Sequence, residues 1–248
     1  MAERGAVSVI VLVRGDLEGL LDLVASVNPQ LKDGDEIVLV LFAPLRPATL
    51  TEEVAREIER QNPFVRVLLA EGESERAIYE QAIGASRGAF VFLAEPGDIW
   101  MPYKLSNMLD AFVMSGAILV LHDAELLDET RQVLAPSLFA LHGSRPGFEE
   151  NLIHNSYLGS CLAFLEPFKE FFLPIPPEVS SYDQWMGLIA ERFGGVAFVS
   201  KPLIGKKVST PAACFADDSP TSPRERRDRQ RHLLKALRKR EKELRSLL

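Results

Sequence analysis

The sequence of 248 residues lacks the features that mark several large protein classes. It contains no run of 18 or more apolar residues, which a membrane-spanning helix would need. Its N-terminus enters a strand-like segment without the small-residue cleavage site of a signal peptide. The two cysteines, Cys161 and Cys214, are too few and too far apart for a disulfide framework or a cysteine metal cluster. We therefore expect a reduced, cytoplasmic protein.

Several short motifs that bind nucleotides or carry out hydrolysis are also missing. No G-x-G-x-x-G follows the first strand-like segment, and no G-x-x-x-x-G-K-[ST] occurs. These absences argue against a dinucleotide site and a P-loop. H-E-x-x-H is also absent, which argues against a zinc protease of that type.

The charge is distributed unevenly along the chain. The formal net charge is −7, but residues 222–248 hold 11 basic and 4 acidic side chains and therefore carry +7. The remaining residues then carry −14. An acidic body of this kind excludes general nucleic-acid binding, and the basic tail needs a separate explanation.

Apolar strand-like runs alternate with helical patterns through the first 94 residues. Short links join these segments, and the runs are rich in β-branched residues, which is typical of strands buried on both faces of a parallel sheet. The alternation predicts an α/β fold with a mainly parallel sheet and helices on both faces. We predict strands at 7–13, 35–43, 64–70 and 89–94, and helices at 17–27, 49–61 and 74–86.

The second half of the chain is less regular. We predict helices at 101–116 and 182–194, strands at 117–122 and 157–166, a small hairpin at 126–134, and one or two short strands within 196–208. Residues 210–221 form a linker rich in Pro and Ser. The predicted organisation is one domain over 1–209, that linker, and a basic helix over 222–248.

The stretch "FLAEPGDIWMPYKL" places two carboxylates directly after the fourth predicted strand. Ligands of parallel α/β sheets bind beyond the carboxyl ends of the strands, which favours a binding role for Glu95 and Asp98. A second interpretation stays open, because Asp98 precedes a predicted helix, where an acid stabilises the exposed amide groups.

Four segments, in this order, resemble the family 2 glycosyltransferases of the GT-A fold, particularly the rhamnosyltransferase-like branch. They are "VSVIVLVRGDLEGLLDLVASV", "ERAIYEQAIGASRGAFVFLAEPGDIWMPYKLSNMLDAF", "YLGSCLAFLEPF" and "SYDQWMGLIAERFGGVAFVSKPLI". The second is similar to a segment that carries a D-x-D-D-x-W-x-P-x-K-L motif, and the fourth to a helix with an H-D-W-W motif. The resemblance covers about residues 7–208.

The resemblance implies a transferase that moves a sugar from a nucleotide-sugar donor to a glycan acceptor during synthesis of a surface polysaccharide. It implies that Glu95 and Asp98 bind the donor through Mg²⁺ or Mn²⁺, and that Asp183 is the catalytic base. The aromatic residues Trp100, Tyr182 and Trp185 would then contact the acceptor. Packing in the core is the alternative role for the two tryptophans, and helix capping is the alternative for Asp183.

The sequence departs from the family pattern at three places. Gly97 stands where the second acid of the D-x-D motif is expected, and Val208 stands where a metal-binding histidine is expected. The strand end near Leu41 offers no polar side chain for the nucleotide. Two explanations stay open. The protein is a transferase that holds a metal weakly, with Lys206 or Lys207 facing the diphosphate, or it is a non-catalytic interaction module. A solvated strand face is the simpler interpretation of the two lysines.

The basic tail begins with a capping box, in which Ser222 precedes Pro223 and Glu225 follows at the third helical position. Its leucines recur near one helical face, and arginines and lysines occupy the other. Such a helix docks on the acidic body, associates with another copy, or makes peripheral contact with an anionic membrane at its inner surface.

Overall fold

The computed structural model describes residues 4–13, 17–42, 50–72, 74–211, 214 and 222–246. Its first half consists of four strands that alternate with three helices. All four strands are parallel, in the spatial order β3-β2-β1-β4. The strands are β1 (Val7–Leu12), β2 (Glu36–Leu41), β3 (Val65–Leu69) and β4 (Phe90–Ala94), and the helices are α1 (Leu17–Val27), α2 (Glu52–Gln61) and α3 (Glu75–Ala85).

The second half adds strands that extend the same sheet and helices that pack around it. Its strands are β5 (Asp98–Trp100), β6 (Leu119–Leu127), β7 (Val133–Ala135), β8 (Leu162–Leu165) and β9 (Val196–Lys207). Its helices are α4 (Lys104–Ser115), α5 (Leu138–His142), α6 (Phe148–Ile153), α7 (Lys169–Phe172), α8 (Tyr182–Phe193) and α9 (Pro223–Arg245).

A single mixed sheet joins the strands of the described residues in the order β3-β2-β1-β4-β8-β6-β9-β5, with β7 paired to β6. Strands β5, β7 and β8 run antiparallel to their neighbours, and the other six strands share one direction. The predicted α/β architecture with a mainly parallel sheet is therefore confirmed. The carboxyl ends of β4 and β9 lie at the same edge, and this edge carries the candidate site.

Local sequence signals explain where several helices begin and end. The Thr51 hydroxyl accepts a hydrogen bond from the amide of Val54 at the start of α2, and Ser74 caps α3 in the same way. Helix α4 ends at Gly116, whose φ of 66° favours a residue without a β-carbon.

Three predicted elements differ from the structure. Residues 98–100, predicted as a turn and helix start, form the short strand β5, because they pair with β9. The predicted strand at 157–166 is shorter, since Gly159–Cys161 form a 3₁₀ turn before β8. Residues 196–207 form one continuous strand of 12 residues.

Helix α9 packs against the body of the protein. Its residues Leu233, Ala236 and Leu237 are nearly fully buried and belong to the main hydrophobic core. Docking, one of the three predicted roles of the tail, is thus seen in the structure. Most of the predicted linker over 210–221 lies outside the described residues. Within the part of the chain that is described, no helix combines the length and hydropathy needed to cross a membrane.

Candidate active site

The turn after β4 brings Glu95 and Asp98 together. The amide of Glu95 donates a hydrogen bond to Asp98 Oδ2 at 3.2 Å, and the amide of Asp98 donates to the carbonyl oxygen of Glu95 at 3.1 Å. Gly97 completes the turn with a φ of 92°, a conformation that disfavours any residue with a β-carbon. Asp98 therefore stabilises the turn before β5, and it also takes part in the cluster described next. It does not cap helix α4, whose N-terminal cap position is Tyr103.

Pairing between β5 and β9 places Lys206 directly opposite Asp98. The Lys206 ammonium lies 2.9 Å from Glu95 Oε2 and 3.3 Å from Asp98 Oδ1, and it donates to the Ser160 hydroxyl at 3.3 Å. Asp98 is only 1% exposed, whereas the Glu95 side chain is 22% exposed and faces the cavity. The lysine thus bridges the two carboxylates to which the family resemblance assigns a metal ion.

The burial of this cluster changes the protonation of its members. Burial raises the pKa of Asp98, although the Lys206 cation opposes this effect. Burial alone would lower the pKa of Lys206, but the carboxylates of Asp98 and Glu95 outweigh it and raise that pKa above its ordinary value. Lys206 therefore stays charged across the physiological pH range.

A second lysine, Lys104, lies beneath the cluster. Its side chain is fully buried, its ammonium donates to the carbonyl oxygen of Ser160 at 3.2 Å, and it lies 4.1 Å from the ring centre of Trp100. Burial lowers the pKa of Lys104 to about 8. Ser160 therefore contacts both lysines, through its carbonyl oxygen and its hydroxyl, a role that the sequence analysis does not predict.

A cavity of about 370 Å³ opens above this cluster at the carboxyl edge of the sheet. It brings together four of the predicted site residues, Glu95, Lys206, Tyr182 and Asp183. The other lining residues include several that the sequence analysis does not single out as site residues: Glu75, Arg76, Leu158, Gly159, Ile175, Val179, Ser180, Ser181 and Cys214, together with Val208.

Tyr182 forms an aromatic wall of the cavity. Its ring stacks on Tyr79 of α3 with 4.1 Å between ring centres. Gly159 lies against the phenol, because a β-carbon at that position would come within 1.9 Å of the Tyr182 hydroxyl. Burial raises the pKa of Tyr182 well above its ordinary value, and a hydrogen bond with Tyr79 adds to this effect, so the hydroxyl stays protonated.

Asp183 lies in the first turn of α8 and is 7% exposed. Its Oδ1 accepts hydrogen bonds from the Ser181 hydroxyl, from Asn155 Nδ2 at 3.2 Å and from the amide of Gln184 at 2.6 Å. These donors fix the direction of the carboxylate at the cavity wall. Asp183 thus bonds to an amide of its own helix turn, as the capping interpretation predicts, and it borders the cavity, while its role as a base stays a prediction.

Four predicted site residues do not line the cavity. Asp98 is buried and contacts Lys206 instead. The side chain of Lys207 leaves β9 on the face opposite to that of Lys206, and its ammonium pairs with Asp22 of α1 at 2.9 Å. Trp185 is fully buried and donates from its indole nitrogen to the carbonyl oxygen of Phe172 at 2.9 Å. Trp100 is 3% exposed and packs against Phe92. Packing, the alternative role for both tryptophans, is the one that the structure shows.

The cluster does not have the composition of a divalent-metal site. Over the residues with described positions, no group of three or more His, Cys, Asp or Glu side chains is arranged to hold a metal ion. A cation between Glu95 and Asp98 would have to displace the Lys206 ammonium. Residues 14–16 and 43–49, which come after β1 and β2 in the sequence, lie outside the described part of the chain.

Solved structures of S. aureus TarS resemble this chain in fold. TarS 1–349 in complex with UDP-GlcNAc matches with a TM-score of 0.63 and 14% identity, over 93% of this chain and 66% of that one. The UDP complex of TarS 1–349 matches with a TM-score of 0.60 and 16% identity, over 92% of this chain and 70% of that one. A longer TarS structure gives a TM-score of 0.59 and 16% identity, over 86% of this chain and 38% of that one.

The chain thus spans about two thirds of TarS 1–349 and 38% of the longer TarS chain. Neither a protein-family model nor a curated protein matches the sequence. At such low identity the structural similarity establishes a shared fold, and it confirms the predicted GT-A architecture.

Proposed function

We propose that this protein binds a nucleotide-sugar donor in the 370 Å³ cavity and transfers the sugar to a hydroxyl group of a glycan acceptor. The observation that carries the proposal is that Lys206 and Asp183 border one cavity at the carboxyl edge of the sheet. The complexes of TarS with UDP-GlcNAc and with UDP support a nucleotide-sugar as the ligand class.

Lys206 is the group we assign to the donor diphosphate. Its ammonium and that of Lys104 balance the charges of Glu95 and Asp98, so an incoming diphosphate meets a cluster without net negative charge. Arg76 also lines the cavity, where its guanidinium is paired with Glu80 at 2.7 Å. A fixed cation beside the departing diphosphate stabilises the negative charge that develops there in the transition state.

Asp183 is the group we assign to the acceptor. Its carboxylate would take the proton from an acceptor hydroxyl while that oxygen bonds to the anomeric carbon of the sugar. The bond between that carbon and the diphosphate oxygen breaks in the same reaction, and the electron pair leaves with the nucleoside diphosphate. Tyr182 would supply an apolar face and a hydroxyl donor for a sugar ring.

The family resemblance narrows this proposal further. It favours a hexosyl or deoxyhexosyl transfer in the synthesis of a surface polysaccharide, with Mg²⁺ or Mn²⁺ held only weakly at Glu95 and Asp98. The position of Lys206 between these carboxylates supports donor binding that does not depend on a metal.

A non-catalytic module is the second candidate function. The observation in its favour is that the key polar groups already have partners within the protein: Lys206 bonds to two carboxylates, and Asp183 accepts three hydrogen bonds. A module of this kind would keep the fold and the cavity without turnover.

The experiment is calorimetric binding of a panel of nucleoside diphosphate sugars, with and without Mn²⁺, followed by donor consumption in the presence of glycan acceptors. We expect binding of at least one donor in the absence of metal. Binding without turnover for every acceptor would favour the module. Absence of binding for every donor in both conditions would refute the proposed function.

A further inference from the structure

Helix α9 carries a regular line of basic residues along one face. Between its first and last turns, a lysine or arginine recurs every third or fourth residue, which keeps the side chains on one side of a helix. Each of these seven side chains is exposed. The residues, which we name the cationic stripe, are Arg224, Arg227, Arg231, Lys235, Arg238, Lys242 and Arg245.

The opposite face of α9 is fixed to the body. Leu233, Ala236, Leu237 and Leu244 are each at most 7% exposed. Arg240 donates hydrogen bonds to the carbonyl oxygens of Leu173 at 2.8 Å and Pro174 at 2.6 Å. Because the apolar face is used for this docking, the cationic stripe must point away from the body, and its direction does not depend on a ligand.

We propose that the cationic stripe binds the surface of a membrane that contains anionic phospholipids. The stripe is straight and about 32 Å long at 1.5 Å per residue, which suits a flat charged surface. A helix diameter of about 10 Å separates that surface from the acidic body, close to the Debye length of about 8 Å in physiological salt. The negative charge of the body is therefore largely screened from the lipids.

The composition of the stripe argues against a protein partner. Protein interfaces depend on buried aromatic and apolar anchors and contain few lysines, and the stripe has no aromatic or apolar member. Within the stripe, Arg224 and Arg231 lie near Asp228, at 4.0 and 3.2 Å, so part of the charge is balanced by the helix itself. The experiment therefore replaces three other members of the stripe, Arg227, Arg238 and Lys242.

A nucleic acid is also a poor match. A nucleic acid that extended past the helix would be repelled by the body, whose net charge outside residues 222–248 is −14. A planar bilayer makes contact with one face only, which is the geometry that the docked helix presents. Electrostatic attraction of this kind contributes about fivefold in affinity per basic residue near the surface.

The test uses the full chain and vesicles of phosphatidylcholine with and without phosphatidylglycerol, in a cosedimentation assay. We expect binding to the anionic vesicles only, and its loss in 1 M NaCl, where the Debye length is about 3 Å. The triple substitution Arg227→Gln, Arg238→Gln and Lys242→Gln should weaken this binding by about 100-fold. Thermal melts should be unchanged, because these side chains are exposed.

The matched control removes the same charge from the body through Arg87→Gln, Arg145→Gln and Lys201→Gln, which are also exposed. It should bind anionic vesicles within about threefold of the parent. Equal weakening by both triple variants would overturn the proposal, because net charge would then explain the binding. Absence of vesicle binding by the parent would overturn it too. A change in sedimentation equilibrium of the stripe variant alone would assign the stripe to a second copy of the chain.

Discussion

Lys206 places its ammonium 2.9 Å from a carboxylate oxygen of Glu95, although 111 residues separate the two along the chain. The same ammonium contacts Asp98 at 3.3 Å, because β5 and β9 are paired in this register. A lysine thus occupies the place between two carboxylates where the family resemblance implies a divalent cation. This arrangement leads directly to the first prediction.

Replacing Lys206 with alanine should weaken donor binding in the absence of metal by about 10- to 100-fold, the scale for losing a hydrogen bond to a charged group. It should also leave Glu95 and Asp98 without the cation between them. We therefore expect Mn²⁺ to restore part of the donor affinity in the variant and to add little in the parent. Calorimetric titration with a nucleoside diphosphate, with and without Mn²⁺, measures both effects.

Lys207→Ala is the matched control, because its ammonium pairs with Asp22 on the other side of the strand. It should bind the donor as the parent does. If Lys206→Ala and Lys207→Ala behave alike, or if Mn²⁺ helps the parent as much as the Lys206 variant, then Lys206 does not stand in for a metal ion.

The buried Lys104 predicts an unusual dependence of stability on pH. Burial lowers its pKa from 10.5 to about 8, so between these values the unfolded chain holds more protons than the folded protein. The free energy of unfolding should therefore rise with pH across this window, by up to about 3 kcal/mol relative to a variant without the amine. Lys206 does not oppose this rise. Its pKa is raised in the folded protein, so the stability that its charge contributes is lost only above pH 10.5.

Lys104→Met is the reference variant for this measurement. Urea denaturation of both proteins from pH 7 to 10.5 should show the parent gaining stability relative to the variant. The offset at pH 7 includes the lost hydrogen bond to Ser160, so the slope of the difference is the test. A flat difference would mean that Lys104 keeps its ordinary pKa.

The first four strands could be predicted closely because each is a mostly apolar run between turn residues, with few polar interruptions such as Arg66 in β3, as is typical of buried parallel strands. β5 could not, because its three residues are in a strand only through pairing with β9, about 100 residues later. The sequence near it contains the turn and capping signals of a helix start. Local patterns therefore predicted the wrong element where long-range pairing decides the backbone.

For the site residues too, local sequence patterns predict part of the arrangement, and the three-dimensional structure decides the rest. Lys206 and Lys207 are equivalent in the sequence pattern, but side chains alternate along a strand, so at most one of them faces the cavity. Trp185 comes two residues after Asp183 in helix α8. Because each residue of a helix turns by about 100°, the two side chains leave the helix on different faces, and a role for one does not imply the same role for the other. Ser160 gave no signal, since it acts in part through its carbonyl oxygen.

The contact of Gly159 with Tyr182 predicts a steric effect on the cavity wall. Gly159→Ala would bring a β-carbon within 1.9 Å of the Tyr182 hydroxyl, so the ring must shift from its stack on Tyr79. We expect a loss of about 1–3 kcal/mol in the free energy of unfolding, the range for overpacking. Weaker acceptor binding should accompany it.

Gly84→Ala is the control for this change, because no atom lies within 4 Å of a β-carbon built at Gly84 in helix α3. It should stabilise the protein by at most about 0.5–1 kcal/mol, the value for alanine in a helix interior, because Gly84 is the next-to-last residue of α3. Thermal or urea unfolding of the two variants gives the comparison. Equal stability of the two variants would show that the Tyr182 ring moves aside without cost.

Asp183 distinguishes a transferase from a non-catalytic module. Its Oδ1 accepts hydrogen bonds from Ser181, Asn155 and Gln184, and an asparagine at this position can still accept them through its amide oxygen. Asp183→Asn should therefore keep the fold and donor binding. If Asp183 is the base, turnover should fall by about 100-fold or more, because the amide cannot take a proton.

The assay is donor consumption with a pool of glycan acceptors, run beside a thermal melt and a donor-binding titration. Asn155→Ala is the companion variant, since it removes one donor to Oδ1 and leaves the carboxylate in place. It should reduce turnover far less than Asp183→Asn and retain the pH profile of the parent. Asparagine caps the start of a helix as effectively as aspartate does. Unchanged turnover in Asp183→Asn would therefore mean that Asp183 is a structural residue of helix α8.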